Sequence, residues 1–216
     1  MANGNFGGGD GTQSNPYLVE DAHDLNAIRN YLGNTSVYFK QVANIDLSSW
    51  ENWDPIYDDT AGLDGMFCGN YDGNGFKISN MTCHHDDIYY VGLFGATNSA
   101  TLKNIFIENC NVSGYFYTGS LVGSAEISTI SNCHASGNVS GYYQSGGLIG
   151  FADSSTISNC YANGSVNGNY QSGGLIGAVI SGTISNCYAN GSVSGYYQPG
   201  GLIGAVISGT ISNCYA

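Results

Sequence analysis

The sequence predicts an all-β protein, a right-handed parallel β-helix, and three observations carry that prediction. The pentapeptide Gly-Gly-Leu-Ile-Gly starts at Gly146, Gly173 and Gly200, a spacing of 27 residues both times, and a fixed period of this kind outranks every other signal. Aligned on that period, columns keep one chemical type: Ile130, Ile157, Ile184 and Ile211; Asn132, Asn159, Asn186 and Asn213; Val139, Val166 and Val193. Each unit also holds several Gly and many β-branched residues, which helices tolerate poorly and strands favour. Short strands joined by turns remain, three to a coil, stacked at the spacing of hydrogen-bonded strands, about 4.8 Å.

Within the unit 146–172, the stretches 147–150, 156–162 and 165–167 read as strands, with 153–155, 163–164 and 168–172 as the connections. Leu, Ile, Val and Cys columns fill the interior. The Asn column suits a corner, since Asn accepts left-handed dihedrals and its amide can bond to its own copies. The period decays towards the N terminus through Gly119-Ser120-Leu121-Val122-Gly123 and Val91-Gly92-Leu93-Phe94-Gly95. Three regions result: an N-terminal cap with irregular first coils over 1–65, irregular coils over 66–118 and regular coils over 119–216, the last incomplete.

Residues 21–33 show an acidic start, apolar residues at 25, 28 and 32 and a terminal Gly, which mark a short amphipathic helix. Placed at the open end of the solenoid, it would shield a row of unpaired backbone groups. Segments 38–42 and 66–71 read as strands of early coils, and Asp72-Gly73-Asn74-Gly75 as a tight turn.

Several segments resemble a known family: Asn15-Pro16-Tyr17-Leu18-Val19, Asn44-Ile45-Asp46-Leu47, Trp53-Asp54-Pro55-Ile56, 67–80, and then the Gly-Leu-Ile-Gly and Ile-Ser-Asn-Cys-Tyr-Ala coils. Together they are similar to the GLUG-repeat β-helices of secreted prokaryotic proteins. The resemblance covers nearly the whole chain and implies an extracellular or cell-surface setting, because such repeats occur in surface adhesins, in filamentous exoproteins and beside the protease domain of immunoglobulin A peptidases. Two departures stand out: the sequence stops in mid-coil at Ala216, and Cys83 occupies a place where an apolar residue is usual.

Composition bounds the function. The 216 residues include 33 Gly and 3 Pro and carry a net charge of −12. Of 16 acidic residues, 13 precede residue 90, and all four basic ones (Arg29, Lys40, Lys77, Lys103) precede the regular coils. With no basic patch, nucleic acid and anionic membrane are excluded as partners. No segment has the eighteen or so unbroken apolar residues of a membrane span, so no membrane insertion is expected. Met1-Ala2-Asn3-Gly4-Asn5-Phe6-Gly7 lacks the basic start and apolar stretch of a secretory leader, which points to a mature or recombinant form.

No enzyme is expected. The carbohydrate-cleaving β-helices need clustered carboxylates or a carboxylate-bound Ca²⁺ with a basic partner, whereas the regular coils hold only Glu126 and Asp153. A His-Glu-x-x-His zinc motif is missing. His84-His85-Asp86-Asp87 form a weak metal candidate against the plainer reading of a solvated polar loop, a discount that extends to Asp58-Asp59 and Asp64. No cofactor is expected. Cys133, Cys160, Cys187 and Cys214 fall on the 27-residue period and predict an interior column of thiols, because parallel stacking aims neighbouring side chains alike, a poor geometry for disulfides. Cys68, Cys83 and Cys110 leave room for one disulfide, and the odd total of seven leaves at least one free thiol.

The candidate binding or assembly surface is aromatic. Tyr161, Tyr188 and Tyr215 form one outward column; Phe116, Tyr143, Tyr170 and Tyr197 form a second, flanked by Gln144, Gln171 and Gln198. Such rows suit sugar rings or a protein surface, or they stack on themselves. The expected partners are further copies of the chain, added head to tail or side by side, or surface glycans and proteins. The function expected is a non-enzymatic adhesin segment or filament subunit, its open terminal coils supplying the edges for head-to-tail growth. The alternatives are a polysaccharide-binding or lyase-like β-helix and, third, an ice-binding solenoid suggested by the Thr-Ile-Ser columns at Thr129, Thr156, Thr183 and Thr210. Asn34, Asn80, Asn111, Asn138, Asn163 and Asn190 head glycosylation sequons.

Overall fold

The computed structural model of the protein describes residues 5–216. Three parallel sheets wind around one core. An eight-stranded sheet runs from Tyr17–Val19 to Thr210–Ser212, a five-stranded sheet holds Ile149–Asp153 and its copies, and the third, branched sheet holds the long strands Phe106–Gly114, His134–Gly146 and Tyr161–Gly173. Strand pairing follows the repeat: Ile130 lies beside Ile157, Ile157 beside Ile184 and Ile184 beside Ile211. In the earlier coils the loops lengthen and the sheets persist, so Phe39 pairs with Tyr71, Tyr71 with Leu102 and Leu102 with Ile130.

Register turns the sequence period into a core. Leu121, Leu148 and Leu175 are fully buried, as are Val122, Ile149 and Ile176 in the next column. Larger side chains, Trp53, Phe67, Tyr71 and Phe94, fill the wider early coils. At about 25 cal/mol per Å² of apolar surface, such columns are the main favourable term, and each coil depends on its neighbours for it.

The chain turns its corners in the left-handed region. Asn104, Asn132, Asn159, Asn186 and Asn213 all have φ between 51° and 54°. Their amides link coils: Asn104 donates to Asp72 at 2.8 Å, Asn132 to Asn104 at 3.4 Å and Asn213 to Asn186 at 3.3 Å. A second corner passes through Ser99, Ile127 and Ser154, with φ of 55°, 50° and 51°. Ile127 is the misfit, a β-branched residue in a conformation such residues avoid.

Several expectations about local structure need correction. The corner at Asn159 divides the strand expected over 156–162, giving Ser155–Ser158 and the start of Tyr161–Gly173. That second strand then runs straight through the breaks expected at 163–164 and 168–172. Gly164 kinks it at φ 154° rather than ending it, and the backbone there lies so close to Gly137 that a side chain would strike its carbonyl. Stacking on a coil of matching sequence lets Gly-rich stretches pair that would break an isolated strand. In the first part of the unit, the strand spans Ile149–Asp153 instead of 147–150.

The helix is shorter than its sequence pattern. It spans Ala22–Ala27, capped by the Asp21 carboxylate accepting from the His23 and Asp24 backbone N–H groups, and tightens into a 3₁₀ turn over Ile28–Tyr31. In that tighter geometry residues three apart eclipse one another. Ile28 is thereby buried with Leu25, and Tyr31 packs its ring on Tyr17 and Phe39. Asp24 is fully buried and accepts from the Phe6 and Glu20 N–H groups at 3.0 Å. The edge strand Tyr17–Val19 is covered by the preceding chain, Gly7 donating to the Leu18 carbonyl and Leu18 to that of Gly8. The strand expected over 66–71 instead spans Asn70–Asp72, taking in Asp72 from the expected turn and leading into the turn at Asn74 and Gly75.

Two substitutions test the corners in opposite directions by urea denaturation. Asn159→Ala is expected to lose about 1–2 kcal/mol, with Asn159→Gly losing less. Ile127→Asn is expected to gain about 1 kcal/mol.

Candidate functional site

The outward face of the long strands carries aromatic stacks. Tyr161 lies on Tyr188 and Tyr188 on Tyr215, with ring centroids 4.8 and 5.2 Å apart and planes within 5°. Above Tyr161 the stack continues through His134, at 4.5 Å, to Phe106, a further 4.0 Å away. These two members escaped the sequence reading, although His134 sits one full period before Tyr161; Phe106 precedes His134 by 28 residues, off the period. A second stack joins Tyr89, Phe116, Tyr143, Tyr170 and Tyr197 at 4.5, 5.4, 5.1 and 4.7 Å. Tyr115 and Tyr142 begin a third, 5.1 Å apart and 3° from parallel. Beside it Tyr90 stacks on Tyr117, and the column changes to Gln, where Gln144 donates to Gln171 and Gln171 to Gln198.

This geometry limits what the surface can do. Isolated aromatic pairs favour offset or edge-to-face contact, but equal positions on successive coils bring the rings face to face. Ring faces therefore cover one another, and the surface presents ring edges and phenol hydroxyls. Burial and neighbouring Tyr rings push the Tyr161 and Tyr170 phenols above their ordinary pKa. Burial also holds His134 below its ordinary value, against the opposing pull of Glu108. Both shifts favour the neutral forms of Tyr161, Tyr170 and His134.

All seven cysteines are unpaired thiols. Cys133, Cys160 and Cys187 are fully buried. Each donates to a carbonyl two residues back: Cys133 to Ser131 at 3.2 Å, Cys160 to Ser158 at 3.2 Å and Cys187 to Ser185 at 3.1 Å. The Cys160 N–H meets the Cys187 sulfur at 3.4 Å, and the Cys187 N–H meets that of Cys214 at the same distance. Contact with a neighbouring thiol, then burial, raises Cys160 and Cys187 well above the ordinary thiol pKa. Burial alone is the main cause at Cys83 and Cys110.

His84 and His85 lie apart in their contacts. His84 Nδ1 is 2.7 Å from the Ser113 hydroxyl, and His85 Nε2 is 2.9 Å from the Trp53 carbonyl. Asp86 and Asp87 do not join them: among the described residues no three His, Cys, Asp or Glu side chains converge as a metal site would require. Glu126 and Asp153 sit beside each other on adjacent strands, the Glu126 carboxylate 3.4 Å from the Asn98 amide. On the eight-stranded sheet, Thr129, Thr156, Thr183 and Thr210 line up with Ser131, Ser158, Ser185 and Ser212 in a parallel hydroxyl column.

A pH series tests the thiol column. Folding keeps the Cys160 and Cys187 thiols protonated above their unfolded pKa, so their contribution is complete below about pH 8.5 and is lost as pH rises towards the folded values. The urea midpoint should fall above that pH, and Cys160→Ala/Cys187→Ala, though less stable at neutral pH, should show a shallower decline.

Comparison with known proteins agrees with this architecture. The GLUG motif matches residues 114–140, 141–167 and 168–194, three consecutive copies. A protein of Evansella cellulosilytica named "Putative Gly-rich membrane protein" is 36% identical over 118 residues, covering 52% of this chain and 13% of that protein. "Halomucin" of Haloquadratum walsbyi is 35% identical over 125 residues, covering 54% of this chain and 1% of that protein. The chain thus spans a small part of these curated relatives. The crystal structure of "a putative immunoglobulin A1 protease from Bacteroides ovatus" superposes with a TM-score of 0.71 at 22% identity, over 98% of this chain and 78% of that one, a likeness of fold. No helix among the described residues is long and apolar enough to cross a membrane. Repeat, register and fold agree: the chain is a parallel β-helix carrying consecutive GLUG repeats.

Proposed function

We propose that the protein is a non-enzymatic, extracellular structural solenoid, a segment of a surface adhesin or filament whose aromatic flank makes lateral contacts. The observation that carries this reading is the set of aromatic stacks on coils almost free of charge. With their faces occupied by one another, the rings offer apolar edges and a row of hydroxyls, which fit the flank of another solenoid better than they fit the flat face of a sugar. Regular spacing lets two such flanks meet along their whole length, so weak contacts of each ring sum. Lateral association with copies of the chain is therefore favoured over glycan stacking.

Head-to-tail addition is a second mode. Residues 200–216 repeat 173–189 letter for letter, so one coil fits the next whichever chain supplies it. An extracellular setting draws support from the relatives' names and from a −12 charge that offers nothing to nucleic acid. A non-catalytic role draws support from the regular coils, where only Glu126 and Asp153 carry carboxylates.

The test is association as a function of concentration. In sedimentation and electron microscopy the protein should form side-by-side bundles, and Tyr115→Ser/Tyr142→Ser should raise the concentration needed by about ten-fold, the effect of roughly 1.4 kcal/mol. A protein monodisperse at every concentration, or a double variant that bundles equally well, contradicts the reading.

A further inference from the structure

A second surface lies on a different sheet from the aromatic stacks, near the N terminus. On the outer face of the eight-stranded sheet, Tyr38, Asn70 and Thr101 form one column across adjacent strands, and Leu18, Lys40, Asp72 and Lys103 form the next. The loop before the first strand, tied by the Asp10 carboxylate accepting from the Thr12 N–H and hydroxyl, brings Gln13 and Ser14 over this face. A cleft of about 670 Å³ opens between loop and sheet, within the range of about 300–1,000 Å³ usual for small-molecule sites.

The charges in the cleft are unbalanced locally. Arg29 pairs with Asp54 at 3.2 Å, Lys77 with Glu108 at 3.0 Å and Lys103 with Asp72 at 3.3 Å. Among the described residues, Lys40 is the one Lys or Arg without a carboxylate partner. Asp72, its neighbour in the ladder, does not fill that role. Its Oδ1 accepts from the Asn104 amide and the Asn74 N–H at 2.8 Å, and its Oδ2 holds Lys103. Lys40 is half-buried in the cleft wall, and its ammonium has no carboxylate partner there. The Tyr38 and Thr101 hydroxyls, which make no hydrogen bond within the described residues, share the cleft with it.

We propose that this cleft binds an oligosaccharide carrying a carboxylate, with Lys40 holding the carboxylate and Tyr38 and Thr101 meeting the sugar. An aromatic ring beside hydroxyl, amide and ammonium groups matches the mixed apolar and hydroxyl faces of a sugar, and the unpaired ammonium selects a ligand with one anionic group. A densely charged polymer is disfavoured, since the protein's −12 charge repels it at long range. The site goes beyond the lateral-contact reading and uses none of its residues.

Two probes decide the matter by calorimetric or NMR titration: a trisaccharide with one glucuronic acid, and the same trisaccharide with that carboxylate reduced to the alcohol. The intact protein should bind the acidic probe saturably and about ten-fold more tightly, as expected for one charge-assisted hydrogen bond. Lys40→Gln should abolish the preference, Lys40→Arg should retain it, and Tyr38→Ala should weaken both probes. Tyr115→Ser/Tyr142→Ser, outside the cleft, should leave both affinities unchanged, so loss of bundling and loss of sugar binding are separable. The proposal is overturned by equal affinity of the intact protein for the two probes, by a preference that survives Lys40→Gln, or by saturable binding of an acidic peptide with none of the trisaccharide.

Discussion

Parallel strand pairing at a fixed period is the constraint on which everything else in this protein depends. Hydrogen bonds place successive coils about 4.8 Å apart, and equal coil length places each residue over its copy. A single side chain is thereby repeated as a column, and whatever the column does is done collectively. Inside, the columns are Leu, Ile, Val and Cys; at the corners they are residues able to hold a left-handed backbone; outside, they are Tyr, Gln, Thr and Ser. The energetic logic is one-dimensional, each coil being stabilised by the two beside it.

The same constraint shapes the chemistry of the surface. Rings that would otherwise offer flat faces are made to cover each other, so the aromatic flank is a self-satisfied stack with apolar edges. Thiols that would be reactive in solvent are stacked in the core and bonded to carbonyls of their own coil, Cys160 and Cys187 being kept protonated. In both cases register converts reactive or sticky groups into structural ones. The exception lies in the early coils, where unequal loops break the repetition. There the loop carrying Gln13 and Ser14 stands over the sheet, and Lys40 has no carboxylate partner among the described residues. Distinct side chains in a concave setting occur where the period fails.

Most of the architecture could be read from the sequence because the signal was repeated. Four aligned copies of Ile-Ser-Asn-Cys at 130–133, 157–160, 184–187 and 211–214 state the strand, the corner and the interior column together. Strand boundaries were less legible. The dipeptide Asn163-Gly164 reads as a turn, yet the strand Tyr161–Gly173 passes through it, since pairing with an in-register copy overrides local propensity. The aromatic columns at Tyr161 and its copies and at Phe116 and its copies were legible from the period, but not the members His134, Phe106 and Tyr89 that extend them, nor the Tyr115 and Tyr142 pair. The cleft was invisible, because it depends on how a long early loop folds back over the sheet, and neither spacing nor composition encodes that.

In-register stacking is open to a single distance measurement between coils. Spin labels attached through introduced keto amino acids at positions 129 and 183, two coils apart on the exposed Thr column, should lie about 10 Å apart, twice the strand spacing, and broaden the resonance spectrum strongly. A separation beyond about 20 Å, the regime of an extended or helical chain over 54 residues of sequence, would contradict stacking in register and with it every column that depends on it.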